Sequence, residues 1–174
     1  SYAIRLGAVS TSRFDPDYFL PERILTVRAM QTVADRLTCV PLQQLVEFRR
    51  DQLATPGDNY LGLAHVQSNT GELVPADESA TGTCFLFAEN DVLFGRLRPY
   101  LNKVHRAERA GCCSPEFHVM RVRAEGALLP DYLAVILRSS LTLAQTRHMM
   151  TGNTHPRLSN DDVVNLMIPL PDMP

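Results

Sequence analysis

The spacing of apolar residues along this chain changes twice, from helical to alternating and back to helical. Between about 21 and 37, Ile24, Leu25, Val27, Met30, Val33, Ala34 and Leu37 recur every three or four positions, while Arg23, Arg28, Asp35 and Arg36 lie off that face. Pro21 suits the first turn of a helix, where a missing N–H costs nothing, so this stretch is predicted helical. Ahead of it, Arg13 to Phe19 reads as an irregular, aromatic-anchored lead-in, because Pro16 between Asp15 and Asp17 favours a turn. Pro41 to Phe48 begins the next unit as a short helix or strand.

The middle of the chain is predicted β-rich. Tyr60 to Val66 alternates bulky and small groups, and Asn69-Thr70-Gly71 is a turn signal leading into Leu73-Val74, a pattern that predicts a hairpin. Further short strands are expected at 84–87, 91–94, 102–106 and 117–122, separated by Glu89-Asn90, Arg98-Pro99 and Gly111. From Leu129 to Met150 the spacing predicts one long helix opened by Pro130, its apolar face made of Tyr132, Leu133, Val135, Ile136, Leu137, Leu141, Leu143 and Ala144. Ser159 should N-cap a short turn over Asn160-Asp161-Asp162, whose carboxylates suit a positive helix end, before Met167 to Leu170 closes as a strand. The expected class is α+β, a central, mostly antiparallel β-rich body with peripheral helices.

At 174 residues this is one domain's worth of chain, and 45% hydrophobic with 21% charged residues is the balance of a folding sequence. No run approaches the roughly 18 to 20 apolar residues of a membrane-crossing helix, and Ser1 to Arg5 lacks a signal peptide's apolar stretch, so a soluble, cytoplasmic protein is expected. The start at Ser1 and the end at Pro174, just after an apolar run, suggest a piece of a longer polypeptide. Cys39, Cys84, Cys112 and Cys113 show neither CxxC spacing nor disulfide-scaffold density. Cys112 and Cys113, adjacent on an apparent strand, face opposite ways, so core cysteines are expected and no metal.

The net charge of −2 runs against nucleic-acid binding until its distribution is considered. All basic side chains but Lys103 are arginines, and Arg96 to Arg123 holds seven cations against Glu108 and Glu116, a locally positive stretch. Arginine is the side chain suited to bidentate contact with phosphate or a guanine edge. Catalytic signatures are missing: there is no phosphate loop, GxGxxG, GxSxG or HExxH, and no glycine-rich methyltransferase cofactor loop. Asp91 and Glu116 can be imagined as a nuclease metal pair, yet no nearby lysine completes such a cluster. A binding module without cofactor or catalytic residues is expected.

Two polar segments draw attention. Gly95 to Lys103 gathers three cations, an amide and an aromatic around a proline-stiffened turn, chemistry that can clamp phosphates while Asn or Arg reaches base edges. Thr151 to Ser159 is rich in hydrogen-bonding side chains directly after the predicted helix, with Gly152 as its C-terminal stop. These segments carry a resemblance. Asp91 to Val104, Ser114-Pro115-Glu116-Phe117-His118-Val119, Thr151 to Ser159 and Met167-Ile168-Pro169-Leu170-Pro171 resemble, in order, four motifs of the target-recognition domains in Type I restriction-modification specificity (S) subunits. The similarity runs over about 41 to 171. Asn90 stands where the family often has Gly, and Asn153 where it often has Ser.

The resemblance implies a DNA methylase specificity domain-like fold, with residues 1–40 as lead-in and N-terminal helix and 41–174 as the target-recognition domain. It implies a module that reads one half of a bipartite target in double-stranded DNA, docks a methyltransferase (M) subunit and, indirectly, directs a restriction (R) subunit. A recognition domain cut from a fused DNA adenine methyltransferase is a second setting, and a protein-interaction module without DNA affinity is the rival class. Segments recurring across such a family are poor base readers, since its members read different sequences. Arg96, Arg98, Lys103, Thr154, His155 and Arg157, with Asn153 in the same DNA-binding set, are therefore expected to contact phosphates or organise loops. Base contacts are expected from Arg49 to Asn59 and Val66 to Thr83, where Arg49, Arg50, Gln52, Asn59, Gln67 and Asn69 have suitable donors and acceptors.

Overall fold

The computed structural model describes residues 21–57, 59–80, 82–124, 128–147, 149–150 and 155–171; the expected lead-in at 13–19 lies outside them. In chain order the elements are α1 (Pro21–Ala34), β1 (Thr38–Pro41), α2 (Leu42–Leu45), β2 (Val46–Arg49), β3 (Gln52–Leu53), β4 (Tyr60–Leu61), β5 (Cys84–Phe87), β6 (Val92–Gly95), β7 (Val104–Arg106), β8 (Gly111–Cys113), β9 (Phe117–Val122), α3 (Pro130–Arg138), α4 (Ser140–Arg147), α5 (Asn160–Val163) and β10 (Met167–Leu170), with 3-10 turns at Leu63–His65 and Pro99–Leu101. The fold is α+β. One four-stranded sheet runs β2-β9-β6-β7, wholly antiparallel; a second runs β3-β5-β8-β4, in which β4 and β8 are parallel; β1 and β10 form a separate antiparallel pair. No helix among the described residues is long and apolar enough to cross a membrane.

Side-chain parity on the first sheet builds the layers. Successive residues of a strand point to opposite faces, so Val92 and Phe94 of β6 join Met120 of β9 in a core closed by Leu133, Ala134 and Leu137 of α3, Val163 and Ile168. Leu93, Phe117 and Val119 point the other way and meet Phe87 and Cys113 of the second sheet and Val66 beside it. All four residues of β6 are buried, as befits a strand covered on both faces. Cys112 and Cys113 are both buried and free, each on its own side of β8.

Two predicted elements are corrected. The single helix expected over 129–150 is two, because Ser139 adopts an extended backbone (φ −66°, ψ 156°). Its hydroxyl donates to the Ile136 carbonyl (2.6 Å) and accepts from the Thr142 N–H (3.4 Å), closing α3 and opening α4 with one side chain. In α4 the buried residues are the polar Thr142, Gln145 and Thr146. Gln145 pairs with both backbone groups of Met167, donating to its carbonyl (3.0 Å) and accepting from its N–H (2.9 Å), much as a strand would. The strand expected over 60–66 stops at Leu61: the Gly62 N–H donates to His65 Nδ1 (3.0 Å) and the Ala64 N–H to Glu78 (2.6 Å), so side chains take the groups a ladder would have used. Only Val66 and Leu73 bridge, around the turn. β1 crosses the boundary expected between residues 40 and 41.

That turn hangs on Gly71, at φ +75°, whose added Cβ would overlap the Val104 carbonyl of β7. Gly82 has a similar angle, φ +92°, with nothing within 4 Å of its Cβ position. Ala at Gly82 should therefore cost only the backbone penalty of about 1 kcal/mol, and Ala at Gly71 about 2 kcal/mol more, since main chain must shift. Urea midpoints of the two variants measure the difference, and equal midpoints would show that the turn moves freely.

Candidate nucleic-acid interface

One end of the first sheet collects the polar loops. Register places the end of β2 (Arg49, opposite Val119), the end of β6 (Gly95, opposite Phe117), the start of β7 and the start of β9 together. The segment after α4 is stitched onto the same end: the Leu158 N–H donates to the Arg96 carbonyl (2.9 Å), the Arg98 N–H to the Pro156 carbonyl (2.7 Å), and Leu97 bridges Arg157. Arg49, Arg50, Arg96, Arg98, Lys103, His155 and Arg157, distant in sequence, thus meet at one edge of the fold. Gln67 and Asn69 join them through the Asn69 N–H, which donates to the Asn102 carbonyl (3.0 Å). Asn153 and Thr154 lie outside the described residues.

Several of these side chains hold the loops. The Lys103 ammonium donates to the Leu63 and Val66 carbonyls, both at 2.8 Å, pinning the 3-10 turn Leu63–His65 to the first sheet with two of its three N–H groups. Arg157 grips Glu116 through Nε (3.2 and 3.3 Å) and Nη2 (2.8 Å), and Arg49 is held by Asp51 through Nε (3.2 Å) and Nη2 (2.8 Å). Gln67 accepts from the Thr70 hydroxyl (3.1 Å) and Asn69 from the Asn102 amide (3.1 Å), which keeps their own NH₂ groups as outward donors. Asn102 also donates to the Arg138 carbonyl (2.9 Å) at the break between α3 and α4, so the helix interruption anchors the β6–β7 connection.

Other cations have no such partner. The buried Nε–H groups of Arg96 and Arg98 find no acceptor, and Arg50 is exposed with no ion pair among the described residues. Arg98 sits in the left-handed region (φ 49°, ψ 61°) just before Pro99, a costly conformation for a side chain of this size. Beside Arg96 a cleft of about 150 Å³ opens between the two sheets, lined by Phe48, Arg49, Arg50, Phe117 and His118 among others. His118 is buried; its Nε2–H donates to the Leu158 carbonyl (3.3 Å) and its ring meets Phe48 edge-on at 6.3 Å. Burial, with the positive charge of Arg96 and Arg50 adding to it, pushes its pKa down to about 4 against the raising effect of the Leu158 bond, so the ring is neutral. Sequence reading passed over His118 because an isolated histidine on a strand carries no signal; the alternation that turns it and Phe48 toward each other was the available clue.

Asp91 and Glu116, imagined as a metal pair, are separated by the length of β6. Asp91 is 1% exposed beside Arg121, which donates to it through Nε (2.8 Å) and Nη2 (2.9 Å), whereas Glu116 serves Arg157 at the other end, about 16 Å away by strand rise. Asn90, where the resembling family often has Gly, has φ 68°. Gly and Asn are the two residues that tolerate that angle best, so the departure conserves the backbone.

No family model and no curated protein matches the chain. Solved structures do. The chain is similar to the HsdS subunit from Thermoanaerobacter tengcongensis at 26% identity and a TM-score of 0.59, over 76% of this chain and 37% of that one. A chain from a structure of a type I R-M system, solved for its complex assembly and conformational transition, gives 24% identity and a TM-score of 0.60 over 77% and 37%. A Type-I restriction-modification S subunit from M. genitalium shares the fold at 15% identity and a TM-score of 0.51 over 78% and 35%. This chain spans little more than a third of each.

Proposed function

We propose, from the chain's structural homology to the target-recognition domains of Type I S subunits, that it is a DNA-recognition module of a Type I restriction-modification system. It reads one half of a bipartite duplex target in the cytoplasm and, without chemistry of its own, presents that DNA to an M subunit that methylates and an R subunit that cuts. The observation that supports this reading is the convergence, at one sheet end, of the polar loops with Arg50, Arg96 and Arg98, cations that no carboxylate among the described residues neutralises. Several unpaired guanidinium groups gathered at one edge are the electrostatic footprint that a polyanion neutralises.

The geometry supports a changed division of labour, in which Arg50, expected from sequence to contact bases, joins Arg96 and Arg98 on the DNA backbone. Lys103 and Arg157 organise loops, and exposed Gln67 and Asn69, whose carbonyl oxygens are already engaged, keep NH₂ donors for base edges. Titrating the chain with duplex across a salt series tests the reading. Binding should be micromolar or weaker, with log affinity falling linearly in log salt by about one unit of slope for each phosphate neutralised. A flat salt response, or binding only to a protein partner, would make the chain an interaction module.

A further inference from the structure

The cleft beside Arg96 is set apart by its charge. Its ten lining residues include Arg49, Arg50 and Arg96 and no carboxylate, with Gln52 and Asn160 as neutral donors and Phe48, Phe85 and Phe117 as walls. Two other cavities among the described residues differ: the one under α3 sets Glu72, Glu108 and Asp131 against Arg106 and Arg138, and the one beside β4 sets Glu108 against Arg109. Arg49 is already neutralised by Asp51 at 2.8 Å, so the uncompensated charge in the cleft belongs to Arg50 and Arg96. Arg96 is half-buried at the cleft, and its Nε–H has no acceptor among the described residues.

We propose that this cleft is a phosphate-binding site in which Arg50 and Arg96 together hold a single phosphodiester group of a DNA backbone. The assignment of DNA as the source rests on the function proposed above; the preference for a phosphate oxyanion belongs to the cleft itself. Two guanidinium groups converging on one tetrahedral anion, with amide donors beside them, is the arrangement that planar, multidentate arginine favours. Phe48, Phe85 and Phe117 make part of the cleft apolar, which strengthens the attraction. His118 reports on occupancy, because its ring senses Arg96 and Arg50 and an anion between them would offset their influence.

Two measurements on the 174-residue chain test this and separate it from the wider reading. In the first, inorganic phosphate is added at fixed ionic strength against chloride while the His118 ring is followed by NMR. Phosphate should shift the ring signals saturably and raise the titration midpoint; no difference from chloride would overturn the site. In the second, salt slopes for duplex binding are compared among wild type, Arg50→Met, Arg96→Met and the double variant, with unfolding midpoints confirming that each is folded. Methionine keeps the aliphatic packing of arginine, and exposed Arg50 gives a variant independent of folding. If both arginines share one phosphate, the double variant should lose about one unit of slope in all, since slope counts phosphates neutralised. A loss of about two units would place them on separate phosphates, and an unchanged slope would remove DNA from the cleft; either overturns the proposal. Duplex binding that persists with no phosphate effect leaves DNA recognition standing without this site. Phosphate binding without duplex binding does the reverse.

Discussion

Arg121→Met is expected to destabilise the fold by about 3 kcal/mol and to do more damage than Asp91→Ala. The Asp91 carboxylate is 1% exposed and accepts three hydrogen bonds, two from Arg121 and one from the Ala88 N–H at 2.8 Å. Removing Arg121 strands a buried anion with one donor. Removing Asp91 strands only a guanidinium that is 42% exposed and can turn to water, plus one turn N–H, for about 2 kcal/mol. That same exposure is why the Arg121 estimate sits at the low end for a buried pair. Denaturant unfolding of both single variants and the double variant gives the comparison and the coupling between them. If Asp91→Ala proves the worse of the two, the carboxylate matters chiefly as the cap of the 88–91 turn.

Acidification from pH 6.5 to 4 should remove up to about 3 kcal/mol of stability through His118 alone. In the unfolded chain this imidazole takes its proton near 6.5, while in the fold it refuses one until about 4, held neutral by burial first and by Arg96 and Arg50 next. Between those values the unfolded state binds the extra proton, so stability is full above the unfolded pKa and is lost as pH falls through the folded one. Carboxylates titrate at the acid end too, so the measure is the difference in slope between wild type and His118→Phe, followed by urea unfolding at several pH values. A variant with the same pH slope as wild type would show that His118 takes its proton as readily in the fold as in the unfolded chain.

The strands β5, β6, β7 and β9 are legible because they are buried on at least one face and bounded by turn residues: 84–87 and 117–122 match their expected bounds, and 92–95 and 104–106 nearly do. The Ser159 cap is present as expected, its hydroxyl accepting from the Asp162 N–H at 3.1 Å. What sequence could not show is competition for backbone groups by distant side chains. Lys103 and Glu78 dissolve the strand expected beyond Leu61, and the long helix breaks at Ser139 because its hydroxyl serves two backbone groups there. β3, at two residues, is too short to carry a period, and both it and β1 exist because β5 and β10 supply partners. For the interface, the residue types were readable and their pairing was not. Nothing in the sequence says that Glu116, 41 positions from Arg157, neutralises it, nor that Arg50 and Arg96 go without.

The small β1–β10 pair has a meaning beyond its size. Thr38 lies opposite Leu170, which puts the two strands that frame the sheets about 5 Å apart across an antiparallel register. Everything that bears the unpaired arginines lies on the excursion between them. A host polypeptide interrupted at one point can therefore carry this lobe as a cassette, with its own geometry on either side unstretched, much as surface insertions are tolerated where chain ends lie close. Recombination at the two strands would exchange the whole cation-bearing surface in one step, a route to new behaviour that leaves the frame's packing intact.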